Sequence, residues 1–130
     1  MAQTSAEPNS RLTTQTVAMP ADTNPSGDIF GGWLLSQMDI AGGVVASQRA
    51  RGRTATVALE AMVFHRPVHV GDVVGCHAEI LEVGATSVTV MVEAWVVRRQ
   101  DPTSRFKVTE GQFTYVALDA EGKKRPLPPE

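Results

Sequence analysis

Residues 29–50 form the only long helical candidate in the chain, and the stretch is almost free of charge. Leu34, Met38, Ala41 and Val45 recur at i, i+4, i+7 and i+11, an apolar stripe of helical period. Leu35, Ile40, Val44 and Ala46 add apolar positions around the cylinder, so the helix is expected to be buried on most sides. About 20 residues at ~1.5 Å each give ~30 Å, enough to cross a small domain. Residues 48–53 are expected to close it, with cations at its negative end and Gly52 as the stop.

Beyond this point the period changes from 3.6 to 2. Residues 54–64, 73–83, 87–97 and 106–118 read as strands. Val74, Cys76, Ala78 and Ile80 share one face of the second; Val88, Val90, Val92, Ala94 and Val96 share one face of the third. The connections suit antiparallel order: a longer loop over 65–72, a tight turn at Gly84-Ala85, and a loop over 100–104 carrying Asp101-Pro102. Residues 12–19 are Thr-rich and suit a short edge strand, which Pro20 ends before loop chemistry over 21–28. The expectation is an α+β domain over 12–122, its antiparallel sheet curled around one long helix. A polar arm (1–11) precedes it and an extended, proline-rich tail (123–130) follows. The second face of the sheet is not cleanly polar, since Met91 and Trp95 lie there, which suggests a covering subunit.

Composition then excludes several functions. The chain of 130 residues has a net charge of −2, which argues against nucleic-acid binding. No apolar run is long enough for a bilayer, and the polar start has no signal-peptide pattern, so a cytoplasmic protein without membrane contact is expected. The single cysteine, Cys76, excludes an internal disulfide and a multi-thiolate metal site; its alternation with Val74 and Ala78 places it in the core. His65 and His69 flank Pro67 in a loop, where helical metal spacing does not apply, so no metal and no cofactor are expected. Ser26 and Ser36 lack the context of a serine hydrolase.

Two features remain that could carry chemistry. Between Asp28 and Glu60 the only acidic residue is Asp39, about two turns inside the helix. If buried, it must be paired, capped or functional; alternatively it lies on a polar strip with Ser36 and Gln37. Gly31 and Gly32 sit at the helix start, where glycine costs ~1 kcal/mol relative to Ala. They permit either tight packing against a strand or close approach of a substrate whose carbonyl becomes an oxyanion at the free N–H groups.

The stretch from Met19 through Asn24, Gly27, Asp28, Phe30, Gly31, Gly32 and Trp33 to Asp39 closely resembles the YciA-type acyl-CoA thioesterases of the hotdog superfamily. The likeness continues through Gly52–Ala58, Phe64–Val74, Val83–Val88 and Phe113–Gly122 to the Arg125-Pro-Leu-Pro tail. It implies a single hotdog domain that hydrolyses acyl-CoA to the free acid and CoA, in a dimer assembled into a trimer of dimers. It implies that Asp39 is the catalytic carboxylate, and that Asn24 reaches the site from the other subunit. Gly31 and Gly32 then begin the helix that polarises the thioester carbonyl. Asp39 would activate water or attack directly to give a mixed anhydride. For the substrate, the pantetheine arm is expected along Thr56, Val57 and Ala58, with Ser87 also in contact. The acyl chain is expected near Phe30, Met38, Met62 and Phe64, with broad chain-length acceptance. The CoA phosphates are expected among Arg53, Arg66, Arg98, Arg99, Lys107 and Arg125. Two other readings are a hydratase, for which the helix lacks a histidine, and a non-catalytic acyl-CoA-binding hotdog protein.

Overall fold

The structure, a computed structural model, describes residues 7, 8, 10–60 and 62–130. Most of the expected N-terminal arm therefore lies outside the described residues. Among the described residues five strands form one antiparallel sheet: β1 (Leu12–Val17), β2 (Thr54–Glu60), β3 (Val73–Val83), β4 (Ser87–Arg98) and β5 (Asp101–Ala117). Their order is β1-β3-β4-β5-β2, so β1 and β2 are the two edges. The sheet packs on one helix, α1 (Gly31–Ala50), which touches all five strands. Among the described residues no helix is long and apolar enough to cross a membrane.

The period-2 pattern sets the inner face. Val74 and Cys76 of β3 and Val88, Val90, Val92, Ala94 and Val96 of β4 are buried against Leu34, Met38, Ala41 and Ala46 of α1. Full burial of each large apolar side chain contributes about 1.5–3 kcal/mol. Burial pushes the Cys76 thiol up to about 11, against a smaller opposing effect from Thr14, so it stays protonated at neutral pH. On the outer face, buried Glu93 accepts from the Trp95 indole Nε1 at 3.0 Å.

Several boundaries differ from the expected ones, each for a physical reason. β2 stops at Glu60 and not at 64. The chain crosses over β5 at Gly111, where a Cβ would meet Met62 Cγ at 2.7 Å. It then continues as a loop tied to β5 through His65 N–H on Val108 O (2.8 Å) and Thr109 Oγ1 on Val63 O (2.7 Å). β5 begins at Asp101 and takes in the expected loop. Pro102 is tolerated because β2 pairs only with Gln112–Ala117, leaving the other side of that end unpaired.

The helix stop also differs. Arg51, not Gly52, takes the left-handed conformation (φ 55°). Gly52 lies beside the tail instead: a Cβ there would lie 2.8 Å from an Arg125 guanidinium nitrogen. That guanidinium donates through Nη2 to Ala50 O (2.9 Å) and through Nε to Leu118 O (2.9 Å), so the tail closes the helix C-terminus. Removing these charge-assisted bonds in Arg125→Ala should cost about 1.5–3 kcal/mol, visible as a fall of several degrees in Tm. An unchanged Tm would show that the tail does not brace the helix.

The expectation of a helix buried on most sides holds on one side only. Ile40 is 55% and Val44 39% exposed, and Val57 (55%) and Leu59 (42%) of edge strand β2 are also open. The apolar surface of helix and sheet edge is left uncovered by the described residues.

Candidate active site

Asp39 lies near the middle of α1, on the face that looks toward β2 and β5. Its Oδ1 accepts two hydroxyl hydrogen bonds, from Thr56 Oγ1 at 2.8 Å and from Tyr115 Oη at 2.9 Å. Tyr115 Oη also lies 3.0 Å from the Asp39 carbonyl oxygen. No described residue bonds Oδ2. The carboxylate is half-buried and borders an open cleft that Gly43, Val44, Ser47 and Thr54 also line. Of the two readings of this acid, the paired one describes Oδ1, which the sheet holds, while the carboxylate stays half-buried at the cleft.

The sheet supplies those two donors because Thr56 and Tyr115 are cross-strand neighbours in the β2–β5 ladder. The register shifts between Thr56 and Ala58, leaving Val57 as a bulged residue beside the site. Burial first, and then the bond to the Asp39 carboxylate, raise the Tyr115 phenol well above its ordinary value, so it remains a donor. Tyr115 was not singled out in the sequence as a site residue. The available signal was that a lone tyrosine on an inward face needs a polar partner.

The helix start is built differently. Phe30 is the N-cap and gives no side-chain cap; its carbonyl accepts from Trp33 N–H (3.1 Å) and Leu34 N–H (3.3 Å). No described residue bonds the N–H groups of Gly31 and Gly32, and the first turn holds no acid. A Cβ on Gly32 would meet nothing within 4 Å, and one on Gly31 only Phe64 at 3.7 Å. Packing within the chain therefore does not require either glycine. Beside this turn lies a cleft of about 250 Å³ walled by Ile29, Phe30, Leu34, Phe64 and Val68, with Arg66 at its edge.

Asn24 precedes the helix in the 23–29 loop, where Thr23 and Ile29 form a bridge. Its side-chain Oδ1 accepts from Ser26 N–H (2.9 Å) and Asp28 N–H (3.1 Å). That fixes the orientation of the carboxamide and leaves its NH₂ group as the available end, so Asn24 can act only as a donor.

The remaining expected contacts separate into two groups. Thr56, Val57 and Ala58 are exposed on the sheet edge, and Arg53 is exposed at its start. Arg66 stacks over Phe106 at 3.8 Å from the ring centroid. Met62 packs over Gly111 at the margin of the core. Arg98, by contrast, pairs with buried Asp72 at 3.3 Å and contacts the His69 ring. Lys107 lies 2.6 Å from Glu110 and 3.8 Å from Glu93, and its hydrogen bond to Glu110 holds the ammonium above its ordinary value. Ser87 starts β4 and closes the hairpin by accepting Gly84 N–H at 2.8 Å; it does not line the Asp39 cleft. Arg125 serves the helix C-terminus. The structure thus brings Asp39 and Thr56 together and engages Arg98, Lys107 and Arg125 elsewhere. Among the described residues no cluster of three or more His, Cys, Asp or Glu could hold a metal ion.

A domain of this kind, one helix wrapped by a five-stranded antiparallel sheet, is the hotdog fold. Residues 26–102 match the family model of the thioesterase superfamily, and the chain belongs to that family. It is 52% identical to the acyl-CoA thioester hydrolase YciA of Escherichia coli, over 100% of both chains. It superposes on the hexameric thioesterase y2039 of Yersinia pestis with a TM-score of 0.90 at 50% identity, over 95% of this chain and 100% of that one. On Cj0915, a hexameric hotdog fold thioesterase of Campylobacter jejuni, the TM-score is 0.84 at 42% identity, over 90% of each chain.

Proposed function

We propose that the chain hydrolyses acyl-CoA thioesters, in an active site assembled between two copies. The observation that carries this reading is the separation of its two halves. Gly31 and Asp39 are eight residues apart on one helix, which at 1.5 Å per residue is ~12 Å. An oxyanion donor must sit ~3 Å from the carbonyl oxygen and the attacking group ~3–3.5 Å from the carbonyl carbon. One helix cannot serve one thioester with both. A second copy laid on the uncovered Ile40, Val44 and Leu59 surface brings its own helix start toward Asp39. Two of the similar structures are hexameric thioesterases, and three such dimers in one assembly would give that number.

The chemistry follows from the groups. The thioester carbonyl oxygen lies on the N–H groups of Gly31 and Gly32, with Asn24 Nδ2 donating beside it. Asp39 Oδ2 takes a proton from water as the water oxygen bonds to the carbonyl carbon. The tetrahedral intermediate then expels CoA thiolate, and the proton leaves Asp39 with it. The same geometry allows Oδ2 to attack the carbonyl carbon directly: the C–S bond breaks, CoA thiolate leaves and a mixed anhydride remains, which water opens to the free acid and the Asp39 carboxylate, its spare proton going to the thiolate. The acyl chain occupies the apolar cleft of Phe30 and Phe64, with Met62 behind it. The pantetheine amides follow the β2 edge at Thr56, Val57 and Ala58. Exposed Arg53 and Arg66 suit the phosphates better than the ion-paired Arg98 and Lys107.

Release of CoA from a panel of acyl-CoAs, followed with a thiol reagent, tests this reading; Cys76 is buried and adds no background. No release from any chain length would overturn it. Turnover should be unaffected by a chelator, because no step uses a metal; loss restored by one divalent ion would contradict that chemistry.

A further inference from the structure

The geometry points to Tyr115 and Gly42 as a paired positioning device: Tyr115, seated where only glycine leaves room, locks Asp39 so that Oδ2 alone faces the substrate. The inference rests on the function proposed above and names a residue that the reaction itself does not consume. A Cβ at Gly42 would lie 2.3 Å from Tyr115 Oη, 3.0 Å from Cζ and 3.1 Å from Cε1. The first is a distance that real Cβ atoms do not show and the other two are tighter than ordinary contacts, and the phenol is fixed by the buried strand that carries it. Gly42 lies in the interior of the helix, where glycine is disfavoured relative to Ala, so it needs a reason to be there. Access of the phenol to the turn above it is that reason.

Two hydroxyls, on Tyr115 and Thr56, converge on one carboxylate oxygen. Together they fix both the rotamer of Asp39 and which oxygen is free. Without Tyr115 Oη the carboxylate keeps one tether and can rotate about it. A reacting oxygen misplaced by about 1 Å can lose ~100-fold in rate. Tyr115 touches neither substrate nor reacting atoms in this scheme, so its effect falls on kcat and not on substrate affinity.

The experiment is a mutant cycle read on kcat, KM and Asp39 conformation. Tyr115→Phe is expected to lower kcat by about 10- to 100-fold with KM nearly unchanged. Gly42→Ala should lower kcat comparably although the hydroxyl is still present, because the ring is displaced. The double variant should be no worse than the poorer single one, since both remove the same contact. If Gly42→Ala does not fold, kcat, KM and the crystal structure of Tyr115→Phe still decide the claim. In a crystal structure of Tyr115→Phe, Asp39 is expected in more than one side-chain rotamer. The proposal is overturned if Tyr115→Phe keeps kcat within about twofold of the parent. It is equally overturned if the two single effects multiply, or if Asp39 is unmoved in the crystal. A parent enzyme inactive on every acyl-CoA would instead sink the proposed function, and the crystal structure would still decide the positioning claim.

Discussion

Asp39→Asn should abolish turnover and leave the fold intact. The reason lies in how the side chain is held. Thr56 and Tyr115 both donate to one oxygen, so the asparagine carboxamide is forced to place its oxygen there and its NH₂ group in the cleft. Where the parent presents a basic oxygen to water, the variant presents a donor. The shape, the packing and both tethering bonds persist, so Tm should change little. General-base catalysis is typically worth ~10²–10⁴-fold, about 3–5 kcal/mol of transition-state energy. Two quantities decide the matter: Tm, and kcat/KM for a medium-chain acyl-CoA. A variant that melts like the parent and keeps more than about a tenth of its activity would remove Asp39 from the chemistry. Asn24→Ala should cost less, because in the proposed site Asn24 donates a hydrogen bond and moves no proton.

The second large effect belongs to the uncovered edge. Leu59→Glu places a charge on a strand whose apolar side chains are open in the isolated chain, so the monomer tolerates it. In an assembly that buries this edge, the same charge is desolvated without a partner, at a cost of several kcal/mol. Dissociation and loss of activity should therefore occur together, with kcat/KM down by ~100-fold or more, because each site needs both copies. Light scattering and the CoA-release assay on the same sample test this. A 13.9 kDa monomer with parental activity would show that the site is complete within one chain.

The parts of the fold that follow from local pattern were legible in the sequence. Alternation of Val88, Val90, Val92, Ala94 and Val96 put one face of β4 in the core, and all five are buried. Asp39 stood out because its surroundings are uncharged. What was not legible depends on pairs far apart in the chain. Tyr115 is 76 residues from Asp39, and Gly42 reads as a weak helix position until the phenol is seen above it. Arg98 and Lys107 look like free cations until Asp72 and Glu110 are placed against them. The β5 start was misjudged because Asp101-Pro102 is turn chemistry in isolation. On a strand end with one side unpaired, the same residues stay in the sheet. Gly52 was read as the helix stop from its type alone, whereas its lack of a side chain makes room for Arg125.

The central claim is that Asp39 from one copy works with Asn24 and the helix start of another. Co-expression of Asp39→Asn and Asn24→Ala chains, carrying different tags so that mixed oligomers can be isolated, tests it most directly. A mixed dimer then holds one doubly altered site and one with both residues intact. Isolated mixed dimers should recover about half of the parental kcat per dimer, far above either variant alone. If the mixed dimers are no more active than the average of the two variants, Asp39 and Asn24 serve the same site from the same chain, and the shared active site is wrong.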